Sequence, residues 1–131
     1  MNSINRLLEH DLMLGTLAKE ALECHIKRLN TASLACLFIF VEQGLKMCLD
    51  KAEGNISQLN LLALKEKKIS VEEFTKLDNL REMRNKLFHE SHYAWFYEKE
   101  GDIYPFSEDV TKEVIFNDFS DDCFNIILKL L

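Results

Sequence analysis

The chain has 131 residues, 47% of them hydrophobic and 29% charged, with a formal net charge of −6 at pH 7. That length suits one domain over residues 1–131 built on one core, and the composition excludes a chain too polar and too charged to fold. The acidic balance excludes the broad basic surface of a non-specific nucleic-acid binder, so any contact with RNA has to be local.

Four Gly and one Pro are too few to punctuate the many short strands of a sandwich or barrel, and helix is the default. The longest strongly apolar run, residues 34–41, falls short of the ~18 residues that a spanning helix requires. Arg6, Glu9 and Asp11 interrupt the first leucines, where an export signal would be basic and then apolar. Neither membrane insertion nor export is expected. Cys24, Cys36, Cys48 and Cys123 form no C-x-x-C pair, and no His or Cys stands at a metal-ligand spacing. The cysteines therefore read as reduced thiols of a cytoplasmic protein, used as small apolar fillers, with neither metal nor cofactor expected. The interval from Cys24 to Cys36 to Cys48 rotates by about 120° at each step and builds no common helix face.

In chain order, apolar residues at 4, 7, 8, 14, 17, 18, 21 and 22 predict an amphipathic helix over 4–28, with Ser3 as its cap and Gly15 as a candidate break. Asn30 and Thr31 offer capping side chains before residues 32–49, which are apolar nearly all round, as in a helix enclosed by others. Gly54 and Asn55 then supply a stop and a new cap for a shorter helix over 56–67, whose Lys65, Lys67 and Lys68 read as a solvated end. Ser70 and Glu73 match the capping box and open a periodic helix over 71–88. The aromatic stretch 93–97, the turn residue Gly101 and the apolar stretch 103–106 predict a hairpin, with Pro105 confining its second strand to an edge. Tyr93, Trp95 and Tyr97 alternate on one strand face, where they either stack bases or pack on the helices beneath. Residues 111–116 are ambiguous, and Asn117 or Ser120 is the expected cap of a last helix that carries Phe124, Ile127, Leu128 and Leu131. The sum is an all-α fold, an up-and-down bundle of four to five helices with a small β-hairpin inserted after the helix over 71–88.

That helix carries the residues with chemistry. On a wheel with Leu77 at zero, Leu80 falls at about −60°, Phe74 at about +60° and Phe88 at about +20°, which predicts the buried stripe. Arg84 falls inside it at about −20°, and Arg81 follows at about +40°. A guanidinium keeps its charge, so a central Arg on an apolar face requires a carboxylate, a subunit boundary or an anionic ligand. Asn85 and His89 line the stripe's margin at about +80° and +120°. His89, at the C-terminal end of the helix dipole, is favoured as imidazolium.

The segment Leu80-Arg81-Glu82-Met83-Arg84-Asn85-Lys86-Leu87-Phe88-His89 resembles the R-x4-6-H signature of HEPN (higher eukaryotes and prokaryotes nucleotide-binding) domains, in the form with Asn directly after Arg. The resemblance implies a small all-α domain that forms a homodimer, with Glu42 as the acidic residue of an enclosed second helix. It further implies a metal-independent endoribonuclease of a bacterial toxin or defence system, in which a two-fold axis joins two motifs into one composite cleft. On that reading His89 manages protons, Arg84 stabilises the phosphorane, Asn85 orients the phosphate or the His, Glu42 holds Arg84, and Arg81 supports. RNA is the substrate, with an antitoxin or activator protein as a further partner.

In the branch paired with nucleotidyltransferase antitoxins, Tyr stands two residues after the motif His; here that position is Ser91, which speaks against that branch. Two readings stay open. Arg84 paired internally with Glu42 describes a catalytically silent module for dimerisation and nucleotide or partner-protein binding, while Glu42 is equally placed to pair with Lys46 along its own helix.

Overall fold

The computed structural model describes residues 2–88 and 96–131. The order is α1 (Asn2–His10), α2 (Leu12–Ile26), α3 (Asn30–Cys48), α4 (Ile56–Lys65), α5 (Val71–Phe88), β1 (Phe96–Lys99), β2 (Asp102–Pro105) and α6 (Asp109–Leu130). The chain is an all-α bundle with a hairpin inserted between its last two helices.

The first stretch is two helices. Asp11, extended at φ −155°, accepts a hydrogen bond from the Leu14 amide at 2.9 Å and so caps α2. Gly15 is not the break. It lies buried inside α2, where an added Cβ would stand 2.6 Å from both the Cα and the N of Leu8. The glycine is there because the backbone of α1 needs the room.

Helix α3 is the central one, packed by α2, α4, α5 and α6. Leu34, Leu37, Phe40, Val41 and Leu45 are completely buried on it, each contributing about 1.5 to 3 kcal/mol for the larger side chains. Among the described residues it is the one helix long and apolar enough to cross a membrane; here those side chains fill the protein's own core. Phe40 meets the ring of Phe124 edge-on, with centroids 5.3 Å apart. Gly44 admits Ile127 of α6, whose Cγ2 would lie 2.8 Å from a Cβ at that position. At its start, α3 is tied to α6 by Asn30, whose Nδ2 donates to Asp109 Oδ2 at 2.8 Å.

The starts of α4 and α5 are fixed by their own sequences. Asn55 and Gln58 exchange side-chain and backbone hydrogen bonds at 3.0 and 3.2 Å, and Ser70 and Glu73 do the same at 3.1 and 2.8 Å. Helix α6 departs from expectation. It runs 22 residues from Asp109, so the ambiguous stretch is helical and Asn117 and Ser120 lie inside the helix instead of capping it. Thr111, Ile115, Phe116, Phe119, Cys123, Phe124, Ile126 and Ile127 are all buried, over more than half of the helix circumference. That continuous burial outweighs the local preference of Asn and Ser for a helix start.

The hairpin is antiparallel, with Tyr97 opposite Tyr104 and Lys99 opposite Asp102. Its turn places Glu100 and Gly101 at φ 52° and 85°, the positive pair that a two-residue connection requires. Asp118 of α6 anchors β1 by accepting from Tyr97 Oη and Lys99 Nζ, each at 2.5 Å.

Candidate anion-binding cleft

Helix α5 buries Leu77, Leu80, Met83 and Leu87. On the same wheel those four centre near −65°, because Met83 and Leu87 lie inside the stripe and Phe74 is only half-buried. Arg84 therefore stands about 45° from the centre, half-buried at the stripe's margin, and Arg81 and Asn85 follow it toward solvent, both also half-buried. The expectation of an arginine in the middle of the apolar face is corrected to one at its edge.

The margin faces the start of α4. Chain reversal through residues 66–70 sets α4 against α5, so the first turn of α4 lies opposite the second half of α5. Arg81, Arg84 and Asn85 there line a cleft of about 100 Å³ together with Asn55, Ile56 and Ser57. Arg81 is compensated. Its Nε donates to Asp78 Oδ1 at 2.9 Å and its Nη2 lies 3.7 Å from Glu82 Oε1, and the Asp78 hydrogen bond strengthens its hold on its proton. Arg84 has no hydrogen-bond or ion-pair partner among the described residues.

Glu42 is not brought to Arg84. It pairs with Lys46 Nζ at 3.3 Å on α3, the four-residue contact available to it without any tertiary constraint. The expected ion pair between Glu42 and Arg84 is therefore not formed. His89, the residue after the end of α5, lies outside the described residues, as do Tyr93 and Trp95. Tyr97 is turned onto α6, hydrogen-bonded to Asp118 and tilted against Phe119, its phenol pushed well above the ordinary range by burial and by the Asp118 carboxylate. It is not a free platform for a base. Of the other histidines, His25 stacks on Phe116 with centroids 4.3 Å apart and His10 is exposed.

The cleft joins an uncompensated guanidinium, a second guanidinium, a side-chain amide and the first turn of a 10-residue helix. Each favours negative charge: the guanidinium as a two-pronged donor, the helix start through its free amides and dipole. Among the described residues no three His, Cys, Asp or Glu side chains gather where they would hold a metal ion. The part played by Asn55, Ile56 and Ser57 is missing from the motif, yet the capped start at Asn55 and the short connection between α4 and α5 were signals from which it follows.

No family model, no curated protein and no solved structure matches this chain. The class that fold and site define is a helical bundle with a small cationic cleft between two antiparallel helices.

Proposed function

We propose that the protein is an endoribonuclease that works without metal as a homodimer, using Arg84, Asn85 and His89. The observation that carries this reading is Arg84, a permanent charge facing a cleft with no carboxylate partner among the described residues. A guanidinium free to act as a two-pronged donor is the group that a scissile phosphate needs. Arg84 offsets the negative charge that grows on the phosphorane, Asn85 orients an oxygen, and His89 moves the proton between the 2′-hydroxyl and the departing 5′-oxygen. The products are a 2′,3′-cyclic phosphate and a 5′-hydroxyl. The resemblance of the motif to the HEPN signature implies that two copies place their motifs together.

The test is the EDTA-treated protein on structured RNA, with product ends read by mass spectrometry. Cyclic phosphate ends are expected, with cleavage falling roughly 100-fold or more in Arg84→Ala and His89→Ala while both variants elute as dimers. RNA left whole by concentrated dimer would rule out the nuclease and favour a silent module that binds a nucleotide or partner protein. A protein that cleaves as a monomer would rule out the composite cleft.

A further inference from the structure

Helix α3 is apolar nearly all round but not covered all round. On a wheel with Ile39 at zero, Ala32, Ala35, Cys36, Gln43 and Met47 fall between about −40° and +80°. Ala32, Ile39 and Met47 are exposed and the other three half-buried, with Ile39 48% and Met47 40% open to solvent. The charged residues of α3 are Glu42 and Lys46, and each neutralises the other at 3.3 Å. The stripe is also graded, small in its first half (Ala32, Ala35, Cys36) and long in its second (Gln43, Met47). Leu29, just before α3, is 53% exposed and lies about five turns from Met47 on the same line of the helix. Past Met47 a groove of about 420 Å³ opens toward the start of α2, its walls including Met13, Gln43, Lys46 and Asp50. Methionine walls adapt to the apolar side chain that enters.

We propose that this face docks a second copy of the chain, with the two α3 helices antiparallel about a two-fold axis at Ile39. Such an axis sets each long side chain over a short one, with Gln43 opposite the partner's Cys36 and Met47 opposite the partner's Ala32. It also carries the partner's Leu29 to the groove beside Met13, and does so twice. A second copy fits better than an unrelated protein because the graded stripe is its own complement and its paired charges repel nothing. The 19 residues of α3 run roughly 28 Å and, with the edge of α2, present a face roughly 20 Å wide, or about 550 Å² from each copy. The two together stand near the ~1,000 Å² that a specific contact needs, which sets the association in the micromolar range. The stripe and groove share no residue with the Arg84 cleft, so this contact is separate from the pairing of motifs and stands apart from any nuclease activity.

The test is sedimentation equilibrium of the full chain from roughly 1 to 300 μM. The average mass should climb with concentration. Ile39→Glu sets two carboxylates face to face at the axis and should weaken the association roughly 100-fold or more. An equimolar mixture of the Ile39→Glu and Ile39→Lys proteins should recover it, since opposite charges then meet. Equal masses for the parent and Ile39→Glu at the top concentration, or no recovery in the mixture, would overturn the proposal. Leu29→p-benzoylphenylalanine supplies a readout that leaves Ile39 intact. Under light it should couple to Met13 or Met47 of another chain, because within one chain both lie roughly 25 Å away. Coupling confined to other positions would refute the docking.

Discussion

A charge that nothing neutralises is cheap for the fold to lose. Arg84 lacks a partner among the described residues, so Arg84→Gln should leave unfolding in urea within about 0.5 kcal/mol of the parent while it weakens any bound phosphate. Arg81→Gln breaks the ion pair with Asp78 and should cost up to about 0.5 kcal/mol. The opposite order in denaturation would mean that Arg84 is held by a carboxylate after all. Glu73 gives the pH-dependent case. Burial raises its carboxyl, but the Lys129 ammonium and the Ser70 amide and hydroxyl outweigh burial, and the net displacement is downward from 4.5. A lowered folded-state value stabilises the fold above 4.5, and the gain is lost as pH falls through the lowered value. Glu73→Gln keeps a capping side chain and removes the charge. It should cost about 0.5 to 1 kcal/mol at neutral pH, and urea melts of the two proteins should converge in acid. At this scale the α5 side of the cleft, Arg81, Arg84 and Asn85, was legible in sequence. Their surroundings were not, because whether Glu42 turns to Arg84 or to Lys46 depends on how far apart α3 and α5 lie at that level.

Between elements, two glycines separate backbone contact from side-chain contact. At Gly15 the obstacle to a methyl group is the main chain of Leu8, which cannot rotate away, so Gly15→Ala should cost about 2 kcal/mol or more as α1 is pushed off α2. At Gly44 the obstacle is the Ile127 side chain, which can move, and Ala recovers about 1 kcal/mol of helix propensity. Gly44→Ala should therefore be the milder of the two in thermal melts. Equal losses would mean that Ile127 is held as rigidly as backbone. Helix starts with reciprocal caps, at Asn55 and Ser70, could be read from sequence because both partners lie within four residues. The start of α6 could not, since Glu108 makes no side-chain cap bond and the helix begins where Thr111 bonds back to the Pro105 carbonyl.

For the whole molecule, the all-α class and the inserted hairpin follow from composition and periodicity, whereas the cleft follows from an antiparallel pairing of α4 and α5 that no single segment encodes. The hairpin is a dependent part. Asp118→Asn removes the carboxylate shared by Tyr97 and Lys99 and should speed amide hydrogen exchange in β1 and β2 while the amides of α3 stay protected. Equal acceleration in α3 would show that the strands and the bundle unfold as one unit.

Ser3 Oγ donates to Asn125 Oδ1 at 2.8 Å, which seats the beginning of α1 beside the closing turns of α6. A short glycine-serine bridge joining residue 131 to Asn2 would therefore have little more than the closing turns of α6 to span, and the polypeptide could be cut open at the exposed Gly101 bend. Such a permuted chain should still fold, and it would carry any fused reporter on the hairpin tip.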